Sequence, residues 1–407
     1  MSDRPPIGLF GAYGIELEYM IVDGETLDVR PIADRLLGPE GDLPRGPITW
    51  SNELALHVIE LKNTEPAPSL AGLAVLFQDN VREVNRRLAA DGARLLPTGM
   101  HPWMVPTREF KTWPHENGEV YAAFDRIFDA KGHGWSNLQS VHLNLPFAGD
   151  EEFGRLHAAV RLVLPILPAL AASSPAREGS LTGVMDTRLE VYRHNADRVP
   201  SVVGSLVPER VRSRAEYEAK VLNPIYRDLE PLDPDGILCH EWVNARGAIA
   251  RFDRDTIEVR VLDVQECPAA DLAIAGATAS VVRALTEEDT PRGWEWSEAD
   301  LFRVFERTVQ LGDAASIEHP EYLALFDYPE RSATALDLWR HLIERVVARD
   351  PAYPEWKPLL DVFAREGCLA RRIVAALGED PGPGAFRGVY ERLARCLESG
   401  QSFTRRP

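Results

Sequence analysis

The sequence predicts an α+β fold with a helical C-terminal region, on three observations. At least five strand-like segments alternate with helical ones up to about residue 285. Beyond about residue 286 the pattern is helical throughout, with Pro/Gly-rich connections such as "GEDPGPGAF". The 407 residues, 45% apolar and 27% charged, match the composition of a globular chain with a sizeable core.

The elements follow in order. "GIELEYMIVD", Gly14 to Asp23, reads as the first strand, ended by the Asp23-Gly24 turn signal. "ELALHVIELKN", Glu53 to Asn63, reads as the second. Leu70, Leu73, Leu76, Phe77, Val81 and Val84 recur at helical spacing, with Ser69 as N-cap and Gly92 as stop. "ARLLPTGMHPW" reads as strand then loop, and "SVHLNLPF" as a strand. "DEEFGRLHAAVRLVLPILPALAASSP" reads as a long helix kinked at its prolines. "DTIEVRVLDV" is the last clear strand, with the Ala-rich helix "AADLAIAGATASVVRAL" behind it. The polar stretch "TEEDTPRGWEWSEAD" reads as a linker. It divides the chain into residues 7–285 and a helical region, 286–407, packed on the first.

The net charge of −18 disfavours nucleic acid and anionic membranes as partners. No run approaches the ~20 apolar residues of a membrane span. The longest, "AAVRLVLPILPALAASS", is interrupted by Arg161, Pro165 and Pro168. The N-terminus lacks the apolar core of a secretory signal. Cys239, Cys267, Cys368 and Cys396 lie too far apart for a CxxC-type zinc site and are too sparse for a disulfide framework. The expectation is a cytoplasmic chain with reduced thiols.

The strands carry charges where a half-buried strand would be apolar. Glu16 and Glu18 share one face of the first strand. Glu53, His57 and Glu60 lie in the second segment, and His142 in "VHLNL". In "TIEVRVLD", Glu258 and Arg260 share one face while Ile257, Val259 and Val261 share the other. Each strand alone reads more readily as part of a sheet with one wet face. Together they form a carboxylate-lined surface, costly unless cations neutralise it. Clustered Glu oxygens suit Mg²⁺ or Mn²⁺, which complete their shell with water and substrate phosphates. Arg260 is placed to hold a phosphate oxygen. There is no GxxxxGK[ST] loop and no strand-linked GxGxxG. One spacing resists this scheme: Glu53 and Glu60 are seven apart and face opposite sides of a regular strand. Both reach one site only if Glu53 lies in the preceding loop or a bulge intervenes.

Six segments, in order over roughly residues 10–285, resemble the glutamate–cysteine ligase family, in its second bacterial group of ATP-dependent carboxylate–amine ligases. "GIELEYMIVD" resembles the family's opening strand, with its two glutamates. "NELALHVIEL" resembles its D-x6-E strand, with Glu53 at the Asp position. "TGMHPW", "SVHLNL", "ASSPAREGSLTGVMDTR" and "TIEVRVLDVQ" are similar to four further motifs. The resemblance implies an antiparallel β-sheet funnel of the glutamine-synthetase/guanido-kinase type with outer helices. It implies ATP as co-substrate, Mg²⁺ (or Mn²⁺) as cofactor, and amide formation through an acyl phosphate. The carboxylate would be the γ-carboxylate of glutamate and the amine cysteine or another amino compound. Glu16, Glu18, Glu53, Glu60, His142 and Glu258 would be metal ligands. Glu258 and Arg260 would be catalytic. Arg188, Arg251 and Arg246 would bind substrate or nucleotide.

The chain departs from the family pattern around the site. Glu53 replaces Asp, Leu56 stands where a Glu is usual, and His57 is new. Ser140 replaces the first histidine of "HVHVG" and Asn144 its glycine. His101 reads as a structural, hydrogen-bonded loop residue, His57 as a satisfied core histidine, and Trp103 and Trp242 as packing residues. Two other readings compete: a non-catalytic nucleotide- or metal-binding homologue, and a metal-dependent amide hydrolase. The expected partners are small molecules alone; a homo-oligomer stays open.

Overall fold

The structure, a computed structural model, describes residues 6–287 and 294–405. Part of the expected linker, 288–293, lies outside the described residues. The centre is an eight-stranded sheet in which every pairing is antiparallel. Its strands are β1 (Gly14–Asp23), β2 (Leu43–Arg45), β3 (Ile48–Asn52), β4 (Val58–Asn63), β5 (Ala93–Leu96), β6 (Ser140–Pro146), β9 (Ala248–Arg251) and β10 (Thr256–Asp263). A short hairpin, β7 (Ala176–Arg177) with β8 (Ser180–Leu181), stands apart from it. The spatial order is β2-β3-β4-β1-β6-β10-β9, and β5 pairs with the far end of β1.

Register separates the two faces. Ile15, Leu17, Tyr19 and Ile21 of β1 are fully buried and join Ile59, Leu61, Val141, Leu143, Ile257 and Val259 in one hydrophobic cluster. The helices Leu73–Leu88, Gly149–Val163 and Pro268–Thr286 add their apolar stripes to that cluster. The opposite face carries Glu16, Glu18, Glu60, His142 and Glu258, placed by the pairs Glu16↔His142, Glu18↔Glu60 and Glu258↔Asn144. One face is thus insulated by helices and the other is left polar.

The helix expected after Ser69 starts at Leu73, and a short helix, Ala33–Leu37, precedes it. Gly72 occupies the N-cap in a left-handed conformation, and the Ser69 hydroxyl bonds the nearby Ala71 amide. The long proline-containing helix divides as expected, into Gly149–Val163, a 3-10 turn at Leu164–Ile166, and Leu167–Ala171. Pro165 and Pro168 supply no backbone N–H to continue the ladder. Gly149–Ala171 and Pro268–Thr286 do have the length and composition of a membrane span, yet both lie buried within the protein's own core. All four cysteines are free thiols.

The helix Tyr353–Glu366 packs on Pro268–Thr286. At their contact a Cβ on Gly276 would stand 2.4 Å from the Trp356 ring. Gly276→Ala is therefore expected to lower stability by about 1–3 kcal/mol through overpacking, although alanine is the better helix former. Urea unfolding checks this; a more stable variant would show that the contact relaxes freely. At the Asp23 end the polar face turns apolar. Met20, Val22 and Leu96 join Phe386, Val389, Tyr390 and Leu393 of the C-terminal helix Pro383–Ser399. A buried ion pair, Arg372 Nη1 to Glu266 Oε1 at 2.6 Å, fastens the C-terminal segment; the same carboxylate accepts the Phe403 amide at 3.2 Å.

Candidate active site

The site is built on adjacent strands of the polar face. Glu16 of β1 lies opposite His142 of β6, and His142 Nδ1 meets Glu16 Oε2 at 2.9 Å. Asn144, at the position of the family's glycine, donates to Glu16 Oε1 at 3.1 Å. Ser140, at the position of the first histidine, donates to Glu18 Oε2 from its backbone N–H at 2.6 Å and its hydroxyl at 3.1 Å. Ser140 Oγ also meets His142 Nε2 at 2.9 Å. The two departures thus position Glu16 and Glu18.

Glu53 resolves the parity problem. It lies in the loop between β3 and β4, outside any strand, so its direction is not tied to the pleat of Glu60. Ligand oxygens of Glu18, Glu53 and Glu60 lie within 4.8 Å of one another, as do the carboxylate oxygens of Glu16 and Glu60 and a ring nitrogen of His142. Octahedral ligands at about 2.1 Å from one ion stand about 3–4 Å apart, so small side-chain adjustments bring either trio into range.

The cationic half comes from β9, β10 and a short helix. Arg260 Nε pairs with Glu258 Oε1 at 2.9 Å, and Arg251 Nη1 approaches Glu258 Oε2 at 3.4 Å. A β-bulge falls here. Val259 pairs with Leu143 and Leu262 with Val141, so Arg260 and Val261 together oppose His142. The bulge reverses the pleat beyond it, and Asp263 pairs with Ser140 on the polar face. Simple alternation from Glu258 puts Asp263 on the other face, so only its place in the "TIEVRVLD" motif marked it. Asp263 receives the Arg188 Nε in a buried ion pair, the Ser173 amide at 2.8 Å and the Ser174 hydroxyl at 2.7 Å. Gly99 of "TGMHPW" leaves room for this carboxylate: a Cβ there would stand 2.4 Å from Asp263 Cγ.

A cavity of about 500 Å³ opens on this face, lined by Glu18, Glu53, His142, Arg188, Arg251 and Arg260 among others. Glu16, Glu60 and Glu258 stand behind its lining: Glu16 touches it through His142, Glu258 through Arg260, and a Glu60 oxygen lies within 4.8 Å of oxygens of Glu18 and Glu53. Arg246 is not brought there. Its guanidinium is bidentate on Glu209, at 2.6 Å from each oxygen, and bonds Ser201 O at 3.0 Å. Trp242 packs against the hydrophobic cluster and Phe124 and also lines the cavity, while Trp103 packs edge-on to Tyr390. His101 is the buried loop residue expected, with Nε2 at 2.8 Å from Leu27 O. His57 is buried, but neither ring nitrogen has a partner among the described residues.

The site carries more negative charge than its own cations balance. Burial, then the Glu18 charge, pushes Glu53 up to about 7. Burial, then the Glu16 charge, pushes Glu60 well above the usual range despite Lys62 at 3.1 Å. Burial alone would lower His142; the Glu16 hydrogen bond and the surrounding carboxylates lift it to about 9. Burial would raise Glu16, but the His142 hydrogen bond and charge hold it below the usual range. An imidazolium and retained protons thus do the work of a cation, and this oxygen-rich set fits a hard divalent ion.

A pH prediction follows. The folded-state values of Glu53 and His142 are raised. Their contribution is full below the unfolded values and is lost as pH rises through about 7 and about 9. Glu16 acts oppositely and matters only in acid. In EDTA the melting temperature is expected to fall from mildly acid pH up to about 9, and Mg²⁺ is expected to restore it by replacing the protons. A flat profile in EDTA would contradict these assignments.

The profile of the glutamate–cysteine ligase family 2 (GCS2) matches residues 12–349. An uncharacterised protein of Archaeoglobus fulgidus is 39% identical over 280 residues, 68% of this chain and 75% of its own. A Rubrobacter xylanophilus protein with the provisional name glutamate–cysteine ligase 2-3 is 29% identical over 397 residues, 94% of this chain and 96% of its own. Among solved structures, the glutamate–cysteine ligase of Francisella tularensis in complex with AMP aligns over 98% of this chain and 90% of its own. That alignment has 12% identity and a TM-score of 0.56. A bifunctional glutathione synthetase from Pasteurella multocida aligns over 97% of this chain but 51% of its own, at 14% identity and a TM-score of 0.50. These two structures share the fold, an antiparallel sheet with helices outside it. On the family match, this chain belongs to glutamate–cysteine ligase family 2 and is an ATP-dependent ligase.

Proposed function

We propose that the enzyme activates the γ-carboxylate of glutamate as an acyl phosphate and joins it to an amine. The carrying observation is the convergence on one cavity of the Glu16–His142 pair, the Glu18/Glu53/Glu60 trio and the Glu258 carboxylate between Arg260 and Arg251. A carboxylate oxygen of glutamate attacks the γ-phosphorus of ATP and ADP leaves. The amine nitrogen then attacks the acyl carbon, phosphate leaves, and the amine proton passes to solvent. Both steps gather negative charge on phosphoryl oxygens, so positioning and neutralisation are the protein's main tasks.

Arg260 and Arg251 face that charge, and Glu258 fixes both guanidinium groups. Arg188, held by Asp263 through Nε and by the Arg260 carbonyl through Nη2 at 3.2 Å, keeps Nη1 for an anionic substrate group. Glu16, Glu18, Glu53, Glu60, His142 and Glu258 would hold Mg²⁺ or Mn²⁺, which when bound neutralises phosphate charge. Residues 7–285 form the catalytic part in this reading, with 286–407 packed on it. The free thiols suit the cytoplasm. The test is ADP release by the purified chain. It is expected only with ATP, a divalent cation, glutamate and an amine together. Amide hydrolysis without ATP would replace this reading with a hydrolase.

A further inference from the structure

The lining has two characters. Glu18, Glu53, His142 and four arginines make one part charged, whereas Leu54, Val120, Phe124, Trp135, Leu138 and Trp242 make another part, the wall, apolar. Phe124 is its hub, with ring centroids 5.0 Å from Trp135 and 5.9 Å from Trp242. All six wall residues are only half-buried. Large rings left wet in a cavity, when their neighbours fill a core, mark a surface completed by an apolar ligand.

We propose that this wall seats the side chain of the acceptor amine, and that this side chain is bulky and apolar, aromatic above all. The inference rests on the ligase reading and narrows its acceptor. Glutamate and the ATP phosphates are anionic and match Arg188, Arg251, Arg254 and Arg260, which line the same cavity. That leaves the acceptor's side chain or the adenine for the wall. A purine edge needs matched donors and acceptors, and leaving them unpaired is costly. The wall offers few: Trp135 Nε1 is already bonded to Asn195 O at 2.8 Å and the Tyr121 hydroxyl already accepts from Asn52 at 3.0 Å, which leaves the Trp242 indole N–H and the Asn117 side chain. A small thiol side chain would leave most of the rings in water.

The experiment uses the full chain with Mg-ATP, glutamate and a panel of phenylalanine, tryptophan, phenethylamine, alanine and cysteine, read as ADP release. The aromatic amines are expected to exceed cysteine at least tenfold in kcat/KM. Trp242→Ala and Phe124→Ala are expected to erase that preference while KM for ATP stays within twofold. Trp242→Phe is expected to keep it, which guards against a folding defect. Preference for cysteine or alanine overturns the proposal. So do wall variants that raise KM for ATP and leave amine selectivity intact, since the wall then holds adenine. In a parallel run with phenylacetate in place of glutamate, faster ADP release also overturns it, because the apolar group then belongs to the acid. ATP binding without ADP release for every amine is the separate result that defeats the ligase reading itself.

Discussion

Arg260→Ala is expected to lower ADP formation about a thousandfold or more, the scale of removing an arginine from a transferring phosphoryl group. Glu258→Gln is expected to cost about a hundred- to a thousandfold, because the amide keeps the shape and loses the charge that holds Arg260 at 2.9 Å. Both variants should keep the wild-type circular dichroism spectrum. Glu258 retains Arg251 when Arg260 is removed, so no buried charge is stranded. Wild-type ADP release from Glu258→Gln, with substrate present, would remove this residue from the chemistry.

Asp263→Ala has the other large expected effect, and it acts on stability as well as rate. Asp263 is fully buried and gathers the Arg188 guanidinium, the Ser173 amide and the Ser174 hydroxyl. Truncation strands a buried guanidinium and two donors, so about 3–5 kcal/mol of stability is expected to go. Activity should fall with it, because Arg188 loses its anchor and also bonds the Arg260 carbonyl. Adding Arg188→Ala should cost little more, since the stranded charge goes with it. A double-mutant cycle in urea measures this coupling. Strictly additive costs would show that the two side chains act independently.

The charged strand faces were legible because alternation is a local rule. β1 runs over Gly14–Asp23 as read, and Glu16 and Glu18 share the face turned to the site. β2, β3 and β9 were not read as strands. They are three, five and four residues long, too short for a period of two to stand out. Glu53 and Asp263 were obscured for a related reason. One lies in a loop and the other beyond a bulge, and at such breaks counting residues no longer gives the side of the sheet.

Arg246 and Trp242 show a second limit. Both come from the stretch leading into β9; Arg246 reads as a binding residue and Trp242 as a packing residue. Glu209, 37 residues upstream, takes the Arg246 guanidinium away from the cavity. Phe124, on a distant helix, meets the Trp242 ring at the cavity wall. The sequence by itself determined the fold class, the acidic strand faces and the shared face of Glu258 and Arg260, because backbone alternation and residue chemistry are properties of short stretches. Tertiary structure alone decided which carboxylates share an ion's reach, that Asp263 anchors Arg188, and that an aromatic wall shares one cavity with the charged residues. Those depend on register, bulges and loop paths, which join residues far apart in the chain.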